Sequence, residues 1–173
     1  MSLNIQYLEN EIIDQYLYDE NLTRPWIIGF SGGKDSTMLL QVVWNALKKI
    51  EPALLTRQIY VVCNDTLVEN PRIVKFINKT LKRIQKEANL NNFPIIVEET
   101  TPRLDDSFFF FFFGLGYPAP SKFYRWCTER LKINPTTRLI TEKISENGEA
   151  IILLGTRSDE SSTRAASIKR HEV

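Results

Sequence analysis

Apolar residues recur along this chain in two alternating rhythms. Leu8, Ile12, Ile13, Tyr16 and Leu17 fall on one face of residues 3–17, the spacing of an amphipathic helix. Trp26-Ile27-Ile28-Gly29-Phe30 is then a short continuous apolar run that enters a glycine turn. Behind it, Met38, Leu39, Val42, Val43, Ala46 and Leu47 return to helical period before Pro52. The pair predicts strand, turn and helix.

The unit repeats. A second apolar run over residues 58–63 meets Asn64-Asp65-Thr66, and Asn70-Pro71 supplies an N-cap and a first helical residue for a helix carrying Ile73, Ile77, Leu81, Ile84 and Ala88. Residues 94–97 offer a third strand, Asn134-Pro135 caps another helix that ends near Gly148, and residues 150–154 form a fourth strand feeding Gly155. Short, near-continuous apolar strands separated by helices predict an α/β fold, a mostly parallel twisted sheet with helices on both faces. Such sheets bind ligands at the carboxyl ends of their strands, beside a topological switch point. No internal repeat or Gly/Ser linker divides the 173 residues, so the chain is expected to be a single domain.

Composition changes this picture little. Hydrophobic residues at 43% and charged residues at 25% are the balance of an ordinary globular protein, which excludes a disordered chain. A net charge of +1 does not by itself point to a polyanion partner. The N-terminus mixes Glu9, Glu11 and Asp14 with apolar residues at helical spacing, unlike a signal peptide, and the six-phenylalanine run Phe108 to Phe113 falls short of a membrane span. Cys63 and Cys127 lie far apart in no CxxC spacing, so a reducing, cytoplasmic location is expected. The phenylalanine run has no periodicity; it reads either as a buried helix or strand, or as a lid over a ligand.

The chemistry collects at the strand ends. Ser31-Gly32-Gly33-Lys34-Asp35-Ser36-Thr37 follows a strand and opens a helix, where unpaired backbone N–H groups and the helix dipole favour an anion. The glycines allow close approach of a phosphate, Ser31, Ser36 and Thr37 carry hydroxyls, and Lys34 adds charge. A Walker A loop would need glycine where Ile28 stands and Ser or Thr where Asp35 stands. The segment instead resembles the PP-loop signature SGGxDS of enzymes that cleave ATP between the α and β phosphates, which implies binding of magnesium ATP with Asp35 holding the metal.

Three further segments follow. Asp65, after the second strand, either contacts adenosine or caps a turn. Gly155-Thr156-Arg157-Ser158-Asp159-Glu160-Ser161-Ser162-Thr163-Arg164 follows the last strand and is similar to the G-x-R-x-x-E-S-x-x-R segment of PAPS-reductase-like PP-loop proteins. Arg157 and Arg164 suit bidentate binding of phosphate or sulfate oxygens, and Glu160 either fixes one of them or helps hold magnesium. Cys127 stands among Arg125, Arg130 and Lys132, a setting that favours thiolate, whereas Cys63 inside a strand reads as a core residue.

Gly116-Tyr117-Pro118-Ala119-Pro120 and Arg125-Trp126-Cys127-Thr128-Glu129-Arg130-Leu131-Lys132-Ile133, taken with the two flanking motifs, resemble the DndC family. That family is the sulfurtransferase-type component of bacterial DNA phosphorothioation. The resemblance implies DNA as substrate, Lys34, Asp35, Cys127, Arg157 and Arg164 as catalytic residues, and partnership with a cysteine desulfurase and other Dnd proteins. It also implies a 4Fe–4S cluster, for which Cys127 would be one ligand and the others would lie outside this chain, read here as part of a longer protein. The rival expectations are a PAPS or APS reductase and a nucleotide-binding scaffold without catalysis.

Overall fold

In the computed structural model, which describes residues 4–19, 23–121 and 123–155, the alternating rhythms become alternating elements. The N-terminal amphipathic pattern forms α1 (Ile5–Tyr18), and the first apolar run forms β1 (Trp26–Gly29), followed by α2 (Lys34–Leu47). The second unit is β2 (Ile59–Asn64) and α3 (Pro71–Leu90), whose Asn70 side chain accepts from the Arg72 N–H at 2.9 Å as the expected cap. β3 (Ile95–Thr100) runs three residues beyond the expected strand, because the polar Glu98, Glu99 and Thr100 still pair with β2.

After a long connection, α4 (Trp126–Thr128) passes through a π-helical turn, Glu129–Ile133, directly into α5 (Asn134–Asn147), and β4 (Ile151–Leu153) closes the sheet. This corrects the expectation that Asn134 caps a new helix: it is itself helical, at φ −59° and ψ −47°. The wider turn precedes Pro135, whose ring would crowd, and whose missing N–H cannot bond, the carbonyl four residues back.

All strand pairs are parallel and the order is β3-β2-β1-β4. The chain therefore adds two strands on one side of β1 and then crosses to the other side, placing the switch point between β1 and β4. Period-two alternation sorts the side chains. Trp26, Ile28, Ile59 and Val61 face α1, α2 and α3 and are completely buried, whereas Ile27, Tyr60 and Val62 pack under Leu139 and Ile140 of α5. Each such burial stabilises by about 1.5–3 kcal/mol. Among the described residues α5 covers the second face, and Ile96 and Ile152 stay partly exposed.

The amino-end side of the sheet is tied down by polar contacts. Tyr16 Oη accepts from the Arg57 N–H and donates to the Arg57 carbonyl, each at 3.0 Å, while its ring meets Trp26 edge-on. Burial pushes the Tyr16 hydroxyl up to about 12. Arg57, 2% exposed, pairs with Asp19 at 2.9 Å and lies over both rings. α1 is pinned to α2 by Glu9, which accepts from Lys49 at 2.6 Å and from Asn45 at 2.9 Å.

Candidate functional site

β1 ends at Gly29, and the Phe30 N–H bonds the Val62 carbonyl at 2.8 Å, so the chain leaves the sheet in register with β2. Gly32 then takes φ +71°, a left-handed conformation that glycine adopts without strain. Gly33 caps α2, its carbonyl receiving the Thr37 N–H at 3.0 Å. The N–H groups of the first helical turn have no intrahelical acceptor and form an anion-binding end.

Ser36, nearly buried, holds the turn from inside. Its Oγ donates to the Gly33 carbonyl at 3.2 Å and lies 3.3 Å from the Ser31 nitrogen and 3.2 Å from Ser31 Oγ. A hydroxyl has one proton, so with that proton on Gly33 the Ser36 oxygen accepts from both groups of Ser31. Ser36 thus shapes the turn rather than donating outward.

Beside the turn lies a cleft of about 760 Å³ at the carboxyl ends of the strands, within the usual range for ligand pockets. One wall is the turn that opens α2, with Ser31, Gly33, Lys34 and Asp35 lining it. A second is apolar: Ile27, Ile140, Ile152 and Leu154. The third is polar and comes from distant sequence: Asn64, Glu69, Lys132 and Thr136. Gly155 closes the corner beside Asp35. Thr37, expected on the phosphate side, instead lines a separate groove of about 540 Å³ between α2 and α3, which contains no comparable turn.

The third wall is organised around Asn64. Its Oδ1 accepts from the hydroxyl of Thr100 on β3 and from that of Thr136 on α5, the latter at 2.9 Å. Lys132 Nζ sits 3.6 Å from Glu69, joining the π-helical turn to the segment that precedes α3. Neither Glu69 nor Thr136 carries a motif in the sequence, Asn64 stands there only as the residue before Asp65, and Lys132 only as a neighbour of Cys127. The available signals were the polar residue ending β2 and the five-residue step from Cys127 to Lys132.

Asp65 accepts the Leu67 N–H at 2.8 Å, and Leu67 takes φ 63°, so of the two roles expected for Asp65 the structure displays the turn cap. Cys63 is 3% exposed, and burial, with Glu99, Glu69 and Asp65 nearby, pushes its thiol up to about 11; it is a core residue. Cys127 is half-buried on α4. Two of its three flanking cations are engaged elsewhere: Arg130 bonds Asp106 at 3.0 Å and covers the Phe111 ring, and Lys132 faces the cleft. Arg157, Glu160 and Arg164 lie outside the described residues.

The phenylalanine run is helical, as one of the expected forms had it, but only partly buried. It builds a π-helical turn, Phe110–Gly114, in an aromatic lobe where Phe111 is buried while Phe109, Phe110 and Phe113 stay exposed. Trp126 organises the lobe, stacking on Phe108 at 5.4 Å and donating Nε1 to the Pro118 carbonyl at 3.1 Å.

The carboxylates of Asp35 and Glu69 in the cleft suit magnesium, which takes one or two carboxylates and fills its shell with phosphate and water oxygens. An iron–sulfur cluster does not fit this chain alone. It needs four thiolates, and the sequence contains two cysteines, one of them buried in β2. Among the described residues no group of three or more His, Cys, Asp and Glu is arranged to hold a metal, and no helix is long and apolar enough to cross a membrane.

A four-stranded parallel sheet flanked by helices, with a glycine turn and a cleft at its switch point, defines an α/β protein of the doubly wound kind. The chain belongs to the phosphoadenosine phosphosulfate reductase domain family, whose sequence model matches residues 25–170, a family of nucleotide-utilising sulfur-transfer and reduction proteins. It is also similar to an uncharacterized protein of Methanocaldococcus jannaschii, 30% identical over 152 residues. That match covers 88% of this chain and 27% of the relative, so the chain spans about a quarter of the relative's length.

Proposed function

We propose that this chain is the ATP-cleaving unit of a DNA phosphorothioation enzyme. In this reading a non-bridging oxygen of a DNA phosphate attacks the α-phosphorus of ATP. The α–β P–O bond breaks, pyrophosphate leaves, and the DNA phosphate carries AMP. Hydrosulfide then attacks the DNA phosphorus and AMP leaves, so sulfur replaces one oxygen. A persulfide donor serves equally if a second thiol cleaves its S–S bond.

The observation that carries the proposal is the turn from Ser31 to Ser36, which matches SGGxDS and opens α2 against the cleft. Phosphoryl-type transition states are stabilised chiefly by positioning and charge neutralisation. The α2 N–H groups and Lys34 supply both on one wall, Lys132 supplies a cation from the opposite wall, and the apolar wall of Ile27, Ile140 and Leu154 suits the face of a base. Magnesium on Asp35 would neutralise phosphate charge. Arg157 and Arg164 follow Gly155, which abuts Asp35, so the motif they belong to begins at the turn. Cys127, five residues before Lys132, is assigned to the sulfur side of the reaction. A cysteine desulfurase and other Dnd proteins are the proposed partners, and any cluster would draw ligands from outside this chain.

The family match favours a second reading, a PAPS or APS reductase whose turn binds the nucleotide without cleaving an α–β bond. Calorimetric titration with ATP and with PAPS, combined with a pyrophosphate-release assay with and without DNA, separates the two. DNA-dependent pyrophosphate release is the expected result. Tight PAPS binding with no pyrophosphate from ATP under any condition overturns the adenylation reading.

A further inference from the structure

We propose that the exposed rings of the aromatic lobe form a stacking platform for unpaired bases of the DNA strand whose phosphate enters the cleft. This rests on the reading of DNA as substrate and adds which form of DNA is bound and where.

The lobe has an inner and an outer set of rings. Phe108 is stacked between Phe112 and Trp126, at 5.4 Å from each with interplanar angles of 19° and 20°, and Phe111 packs against Tyr117 and Trp126. These rings make the lobe a solid base. The outer rings are left to solvent: Phe109 is 55%, Phe110 42% and Phe113 73% exposed. Phe109 and Phe113 are parallel within 5°, at 6.2 Å between centroids, so they present a shared orientation rather than a random apolar surface. An exposed ring in this number is costly in water, and a cluster of them on one lobe marks a contact surface.

Charge identifies the kind of contact. Residues 101–140 contain six Lys or Arg and three Asp or Glu, an excess of three positive charges in a chain whose whole net charge is +1. The lobe and its helix thus carry a local positive excess, although α3, with six Lys or Arg and one Glu, carries a larger one. Arg103 and Arg125 are exposed, and Arg130 lies 4.9 Å over Phe111 while bonding Asp106. Aromatic faces interleaved with arginines are the arrangement that holds single-stranded nucleic acid, because every base has a face to stack and every linkage a phosphate to pair.

Position completes the case. Trp126 and Lys132 belong to one helical run, six residues apart, which is about 9 Å of rise. Lys132 lines the cleft, so a base on the lobe and a phosphate beside Lys132 can belong to one strand, about three nucleotide steps apart at the B-DNA rise. Paired bases hide their faces in the duplex, so the platform requires a strand that is at least locally open.

The test uses the full chain and a labelled oligothymidine of about 16 nucleotides, with the matching duplex as comparison, read by fluorescence anisotropy. The variants Phe109→Ser and Phe113→Ser, alone and together, change exposed positions, and circular dichroism verifies that they fold. The expected result is tighter binding of the single strand than of the duplex, lowered ~10-fold or more in the double variant, with ATP affinity unchanged. Unchanged strand affinity in the double variant, or no strand binding by the wild type, overturns the platform. So does concentration-dependent self-association that the variants abolish while strand binding persists, since the rings would then meet a second copy. If strand binding falls as expected but no condition yields pyrophosphate, the platform stands and adenylation fails. If DNA-dependent pyrophosphate release is equal in wild type and variant, adenylation stands and the platform fails.

Discussion

Gly155 lies so close against Asp35 that a Cβ on it would sit 2.6 Å from the Asp35 carbonyl oxygen and 2.8 Å from its carbon. The end of β4 and the phosphate turn are therefore one packed unit, and only glycine permits the approach. Gly155→Ala must push the first turn of α2 away from the cleft. We expect nucleotide turnover to fall on the order of 100-fold, as displacement of positioning groups does, with circular dichroism unchanged. Pyrophosphate release and calorimetric titration check this; wild-type values would mean that the turn tolerates the shift.

Ser31 and Ser36 share a hydrogen bond within the turn, so their contributions should not add. Ser31→Ala and Ser36→Ala are each expected to weaken ATP binding, and the double variant to lose less than the sum, with a coupling of about 0.5–3 kcal/mol. Titration of all four proteins closes the cycle. Strict additivity would contradict the pairing.

Asn64 binds β2 to β3 through Thr100 and to α5 through Thr136. Asn64→Leu removes the shared acceptor and leaves two hydroxyls without it, for an expected loss of about 1–3 kcal/mol in urea unfolding. Asn64→Asp keeps an oxygen acceptor and should recover most of that stability. Equal losses in both variants would show that packing, not the hydrogen bonds, sets the cost.

The two cysteines should differ in reactivity. At neutral pH iodoacetamide is expected to modify half-buried Cys127 and spare buried Cys63, with both modified after unfolding, as peptide mass spectrometry will show. The raised Cys63 thiol also carries a pH signature. Its folded pKa lies above the ordinary value of 9.0, at about 11, so the folded state keeps its proton where the unfolded state loses it. The associated stability is complete below pH 9.0 and is lost as pH rises toward about 11. Cys63→Ala should flatten that part of the alkaline unfolding profile.

Glu9 supplies the opposite sign. Its hydrogen bond from Lys49, with that from Asn45, holds its carboxyl below the usual value of 4.5. The stabilisation is present above that value and fades as pH falls through the lower folded pKa. Glu9→Gln should lower stability at neutral pH and make the acid limb of a melting-temperature profile shallower. An unchanged acid limb would mean that Lys49 does not hold Glu9 in solution.

Much of the architecture is written locally. Trp26 to Gly29 is a strand because a short apolar run can be buried on both faces, and Asn70-Pro71 opens a helix because its cap needs no distant partner. The anion turn is equally legible, since its glycines, hydroxyls and helix start are consecutive. The failures were of another kind. Asn134 looked like a cap because Asn-Pro is a local cap signal, but the preceding π-helical turn had already begun the helix. The phenylalanine run carried no period from which to infer a face, and its outcome depends on Trp126, more than a dozen residues away, as the surface on which Phe108 and Phe111 pack.

By itself, then, the sequence determined the α/β alternation, the glycine turn that opens α2 and the family, because each rests on residues adjacent in the chain or repeated at a fixed period. Only the tertiary structure decided that Asn64, Glu69, Lys132 and Thr136 form the wall opposite that turn, that Ser36 points inward, and that Gly155 abuts Asp35. Those relations arise where strands that are distant in sequence end side by side, and the crossover that places β4 next to β1 is set by burial of both sheet faces together.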